Sequence, residues 1–163
     1  MEQASEALPF AGGVSAVAVS CGEGHSAFAL QGGGVAGVGS NDSGQLGARS
    51  NGDHVSYSPV EAFVRLASGL KMQVVSVACG AHFTMALLSD DQVYAWGENS
   101  FGQLGLGHAS DVMKPQRVQG LCGIEVSIIA CGDDHILALS RGGGLIASAG
   151  ERVRDGWKEE GRV

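Results

Sequence analysis

Apolar residues fall in short runs along this chain, broken at close intervals by glycine and polar turns, and nowhere do they recur at the 3.6-residue spacing of a helical face. The runs repeat. With Cys21, Cys79 and Cys131 in register, VAVSCGEGHSAFAL (17–30), VSVACGAHFTMALL (75–88) and SIIACGDDHILALS (127–140) align at offsets of 58 and 52 residues. Eighteen residues after the first two cysteines, Gly39 and Gly97 open GSNDSGQLG (39–47) and GENSFGQLG (97–105), which agree at six of nine positions. Two motifs returning at one offset make the period real. In the third copy the matching glycine is expected at Gly150, one residue late, through a turn at Arg141–Gly144 that is longer by one.

Each unit reads as short strands separated by turns. In the middle unit these are Val75 to Cys79, Thr84 to Leu88 and Val93 to Trp96, with Ser89-Asp90-Asp91 as a hairpin turn. A loop of variable length ending at Pro59 or Pro115 leads to a fourth short strand, around Gln116 to Val118 in the second unit. Four short strands per ~55 residues are the signature of a propeller blade. The expected fold is all-β: a partial β-propeller of about three four-stranded blades, with a ring that does not close within the chain. Residues 1–13 read as an N-terminal segment or the end of a preceding blade. Residues 14–151 hold the repeats (about 14–70, 71–121 and a partial 122–151), and 152–163 form a charged tail whose start could be helical.

Composition agrees. The chain has 163 residues, 27 of them glycine but only 3 proline, and 44% are hydrophobic, which excludes collagen and low-complexity disorder. With 10 Lys+Arg against 17 Asp+Glu the net charge is −7, so direct nucleic-acid binding and attraction to anionic membranes are not expected. No apolar run reaches the ~18 residues of a membrane helix, and the N-terminus lacks signal-peptide character. An intracellular setting, cytoplasmic or nuclear, is therefore expected, with Cys21, Cys79, Cys122 and Cys131 reduced.

Several patterns imitate chemistry. Cys21/His25 and Cys131/His135 have a spacing that suits a transition metal, but the middle unit has Cys79/Phe83, and a ligand position that accepts Phe is explained by packing. Gly32-Gly33-Gly34-Val35-Ala36-Gly37 and Gly142-Gly143-Gly144-Leu145-Ile146-Ala147 fit a dinucleotide fingerprint without its βαβ context. They align with the turn Asp90-Asp91-Gln92, so these glycines read as turn residues supplying positive φ. The GQLG elements lack the Lys-[Ser/Thr] of a phosphate loop, and Asn41 and Asn99 are instead candidates for capping the turn. No catalytic triad or dyad stands out, and neither an enzyme nor a cofactor is expected.

The pattern V-A-C-G-x-x-H-[ST]-x-A-L followed by Y-x-W-G-x-N-x-x-G-Q-L-G resembles the regulator of chromosome condensation repeat family. The middle unit carries it through Val77, Cys79, Gly80, Thr84, Ala86, Leu87, Tyr94, Trp96, Gly97, Asn99, Gly102, Gln103, Leu104 and Gly105. The first unit repeats it at Cys21, Gly22, His25, Gly39, Asn41, Gly44, Gln45, Leu46 and Gly47, and the third at Cys131, Gly132, His135 and Gly150. Phe83 stands where the family has His, while Val38 and Ala149 replace the blade Trp.

The resemblance implies a β-propeller, usually of seven blades, that serves as a platform for protein partners. With about two and a half to three repeats, the chain is expected to be a fragment of a longer propeller or a protomer that completes itself by self-association. The leading expectation is a non-catalytic interaction scaffold, with a small GTPase among the partners considered. The alternatives are a guanine-nucleotide exchange factor for a Ran-type GTPase, or the recognition part of a larger protein such as a HECT-type ubiquitin ligase. Contacts are expected from the loops after the GQLG elements and the residues beside them: Arg49, Asp53, His54, Tyr57, Phe101, His108, Asp111 and Met113.

Overall fold

A computed structural model describes residues 15–47, 54–59, 73–149 and 158–160. They form three antiparallel four-stranded sheets. The first holds β1 (Ala16–Cys21), β2 (His25–Leu30), β3 (Val35–Gly39) and β4 (His54–Pro59), hydrogen-bonded in that order. The second holds β5 (Val74–Cys79), β6 (Phe83–Leu88), β7 (Val93–Gly97) and β8 (Val112–Arg117). A 3-10 turn, Gln119–Leu121, leads to β9 (Val126–Cys131), β10 (His135–Ser140), β11 (Leu145–Ala149) and β12 (Lys158–Glu160). Each sheet is a blade, and the unclosed arc of three is the expected partial propeller.

Three expectations need correcting. His135 pairs with Ala149 as His25 does with Gly39 and Phe83 with Gly97, so Ala149 occupies the glycine position and Ser148 the Trp position. The turn before β11 is not longer, because Leu30, Leu88 and Ser140 each donate the same closing bond to a carbonyl four residues on, at Gly34, Gln92 and Gly144. The fourth strand begins earlier than expected, at Val112, and takes Pro115 into an outer edge where a missing N–H costs no ladder bond. Finally, Lys158–Glu160 pairs with β11 as a strand, so the third blade reaches four strands using part of the expected tail.

Alternation of side chains decides which face meets which neighbour. All six residues of β6, in the middle blade, are buried, because that blade is covered on both sides. In β2, the residues facing the second blade (His25, Ala27, Ala29) are buried and those between them are only half-buried. The turns supply the close approaches. At Gly97 φ is +110°, and a Cβ there would lie 2.5 Å from His82 O and 2.6 Å from Phe83 Cα.

The seam between the first two blades is laced with hydrogen bonds. Asn41 Oδ1 accepts from Leu46 N at 2.9 Å and Gln45 Oε1 from Ser43 N at 2.9 Å, which fixes the GQLG turn. The Gln45 carbonyl then receives Thr84 Oγ1 at 2.7 Å and Trp96 Nε1 at 2.9 Å from the next blade. Since the Thr84 proton goes to that carbonyl, the 2.9 Å contact between His25 Nε2 and Thr84 Oγ1 makes Nε2 the donor. Burial lowers the His25 pKa to about 4, with nearby His82 acting in the same direction and the backbone at Phe83 opposing. The corresponding pair at the second seam is Phe83 and Ile136, both fully buried and apolar.

This packing can be probed at Gly97 and at His25. Gly107 also has positive φ (+81°) but nothing within 4 Å of where a Cβ would stand, so Gly107→Ala carries backbone strain alone whereas Gly97→Ala adds a backbone clash. Urea unfolding should find Gly97→Ala the less stable by a further ~1–3 kcal/mol. The unfolded imidazole of His25 takes its proton near pH 6.5 and the folded one only near 4. Its contribution is therefore complete above about pH 6.5 and is lost as the pH falls towards 4, by at most about 3 kcal/mol. Between pH 7 and pH 4.5 His25→Phe should lose less unfolding free energy than the unsubstituted chain, and parallel pH profiles would contradict this.

Candidate protein-binding surface

On one face of the arc the turns between the first two strands of each blade come together. Glu23 N donates to Ala81 O at 3.2 Å and Ala81 N donates to Asp133 O at 3.1 Å, so the three turns are chained from blade to blade. They enclose an open depression of about 770 Å³. Its rim is acidic, with Glu23, Glu98, Asp133 and Asp134, and the one imidazole, His82, lies 3.3 Å from Glu23 Oε2. Cys21, Cys79 and Cys131 also line it.

The thiols of Cys79 and Cys131 are poor nucleophiles. Burial pushes Cys79 up to about 11, partly offset by hydrogen bonding to Ser20, and burial pushes Cys131 beyond the ordinary thiol range. Among the described residues, no three of His, Cys, Asp and Glu converge as a metal-binding set. The imidazole of His25 instead covers Gly22, and Phe83 covers Gly80 in the same way. Glycine is needed there because a Cβ would enter the ring. The triple-glycine strings are hairpin turns: Gly33 (φ +94°), Asp91 (+65°) and Gly143 (+82°) fill one left-handed position in the three blades.

The loop residues expected to meet a partner scatter when placed. Asp111 Oδ1 accepts from Asn99 N at 2.8 Å, and His108 O accepts from Asn99 Nδ2 at 2.7 Å, so both brace the second GQLG turn. Met113 packs on Gly44, where a Cβ would lie 2.6 Å from its sulfur, and it belongs to the first seam. His54 and Tyr57 lie in β4 rather than in a loop, while Arg49 and Asp53 are outside the described residues. Phe101 is 47% exposed and remains accessible.

Sequence reasoning missed the acidic mouth. Its signal was the pair of residues between Gly and His/Phe in each CGxxH-like element: Glu23-Gly24, Ala81-His82 and Asp133-Asp134. Three turns at equivalent places in a radial repeat must meet at one end, so their side chains pool their charge. No described helix is long and apolar enough to cross a membrane.

Comparison with known proteins gives the same architecture. A family model described as the regulator of chromosome condensation (RCC1) repeat matches residues 33–87 and 90–139, and a second of that description matches 74–103. The ultraviolet-B receptor UVR8 of Arabidopsis thaliana is 31% identical over 151 residues, covering 93% of this chain and 31% of that protein. The human probable E3 ubiquitin-protein ligase HERC3 is 38% identical over 139 residues, covering 85% and 13%. Among solved structures, human WBSCR16 has a TM-score of 0.74 at 29% identity, and Saccharomyces cerevisiae Prp20p has 0.74 at 25%. The chain covers 37% of each of these two, being itself covered to 90% and 88%, and spans about a third or less of the curated relatives. Repeat period, blade pairing and family match agree that this chain belongs to the regulator of chromosome condensation (RCC1) repeat family.

Proposed function

We propose that the chain is a non-catalytic protein-interaction module whose acidic mouth receives a basic segment of a partner protein. The carrying observation is the gathering of Glu23, Glu98, Asp133 and Asp134 from three separate blades around one depression. A rim of one sign, in a chain of net charge −7, speeds encounter with Lys/Arg-rich segments and repels acidic ones. Yeast Prp20p, of similar fold, is described with binding to Gsp1p and histones, and a structure of yeast RCC1 bound to Kap60 is also similar. Those partners support a protein ligand in general. A cytoplasmic or nuclear setting goes with this reading, as does a recognition role within a larger protein of the HERC kind.

Binding of a fluorescent arginine-rich peptide, read by anisotropy, tests it. Affinity should fall with salt, and the double substitution Asp133→Lys with Asp134→Lys should weaken binding about tenfold. Glu125→Lys, which lies before β9 at the opposite end of the blade, should leave it unchanged. Equal losses from both would count against a localised site.

A second reading, guanine-nucleotide exchange on a Ran-type GTPase, draws support from the likeness to Prp20p. It expects the chain to accelerate release of a fluorescent guanine nucleotide from such a GTPase. No acceleration at micromolar protein would remove it for this chain.

A further inference from the structure

The second blade is flanked on both sides by sheets of this chain, so its side chains stand in a neighbourhood that the described residues supply. In that setting Phe28, Phe83, Tyr94 and Trp96 are half-buried or buried, whereas Phe101 is 47% exposed. Its place is set by backbone bonds. Glu98 N donates to His82 O at 2.9 Å, which ties the start of the second GQLG turn to the β5–β6 turn at the acidic mouth. Gly102 N donates to Asn99 O at 2.8 Å, so Ser100 and Phe101 form the tip of a β-turn. Glu98 lines the mouth, and three residues of chain span at most about 10 Å, so the Phe101 backbone lies within that distance of Glu98.

The fold does not require an aromatic ring at this tip. In the first blade the same turn carries Ser43, and the same two bonds form there, Ser43 N to Gln45 Oε1 and Leu46 N to Asn41 Oδ1, both at 2.9 Å. In the second blade they run from Phe101 N to Gln103 Oε1 and from Leu104 N to Asn99 Oδ1, both at 3.0 Å. The ring is thus presented in water on a braced turn, where little backbone freedom remains to be lost when a partner covers it. Its surroundings on this face are acidic, with Glu98 at the mouth and Asp42 exposed on the tip of the first-blade turn.

We propose that Phe101 is an apolar anchor beside the acidic mouth, and that the partner segment bears a large aliphatic side chain about three residues from the basic residue that meets Glu98. The inference rests on the acidic-mouth reading and adds a second recognition element to it. An extended segment rises ~3.3 Å per residue, so three residues cover the ~10 Å available. Rim carboxylates steer the basic residues in, and the ring, once covered, excludes water from the contact. An arginine stacked on the ring is the competing occupant. Arginines at the mouth have carboxylates to meet, which leaves the ring to an apolar side chain.

Anisotropy with two fluorescent peptides tests this. One is an arginine run flanked on each side by two glycines and then a leucine; the other has glycine in place of both leucines. The leucine peptide should bind about fivefold tighter. Added salt should weaken both peptides and leave their ratio unchanged. Phe101→Ala should abolish the ratio without altering affinity for the glycine peptide, and Phe101→Leu should keep most of it. Circular dichroism checks that both variants stay folded, as the Ser43 turn implies they will. The double substitution Asp133→Lys with Asp134→Lys should weaken both peptides alike. Equal binding of the two peptides, or a ratio that survives Phe101→Ala, would overturn the anchor and leave the acidic mouth standing. An equal loss of both peptides in Phe101→Ala would overturn it in favour of a stacked arginine. If neither peptide binds, the acidic-mouth reading falls and the anchor falls with it.

Discussion

One main-chain oxygen, the carbonyl of Gln45, accepts hydrogen bonds from both Thr84 and Trp96 of the neighbouring blade. The constraint behind it is general to this chain. A sheet of four strands, each three to six residues long, has two faces, and with no α-helix among the described residues to cover them, only another sheet can. Fixing the Gln45 carbonyl requires the turn to be rigid, which is the work of Asn41 and of the Gln45 side chain. Packing the next blade against it requires small residues at the contact, which is why Ala27 and Ala29 face the second blade and why Met113 can sit on Gly44. The repeated motif is a description of the seam, and only secondarily of the blade.

That distinction explains what could be read in the sequence. The Cys and GQLG registers locate blades because each motif residue answers a local demand: glycine under the His25 or Phe83 ring, asparagine at the turn, glycine where φ is positive. Where local demand is weak, the register is easily misread. The third blade carries Ser148 and Ala149 in place of Trp and Gly, so nothing in the sequence marks the position, and Gly150 reads as the match. Hydrogen bonding across the hairpin from His135 settles it, and such pairing is invisible in a string of residues. The strand at Lys158–Glu160 is hidden for the same reason, since its charged residues read as solvated tail while its backbone completes a ladder.

Candidate interaction residues are harder to see because they are brought together by topology rather than by spacing. Glu23, Glu98, Asp133 and Asp134 belong to turns far apart in the chain, and each alone is an ordinary polar turn residue. The loop residues with more distinctive chemistry, Asp111, His108 and Met113, are engaged in holding Asn99 and Gly44. Side chains with a structural duty resemble interface side chains in composition. The two can be separated only when their hydrogen bonds and packing are counted.

The two seams also differ in a way that orders the blades. Across the first, His25 donates to Thr84 in a buried site, whereas the corresponding second-seam positions are Phe83 and Ile136. A face bearing His25 set against Ile136 would bury an Nε2–H donor without an acceptor, at a cost of about 1–3 kcal/mol. A face bearing Phe83 set against Thr84 would lose the imidazole's bond while keeping the hydroxyl's own bond to Gln45, a smaller penalty. Similar sheets are therefore not interchangeable neighbours. The polar pair makes one adjacency favoured over the others.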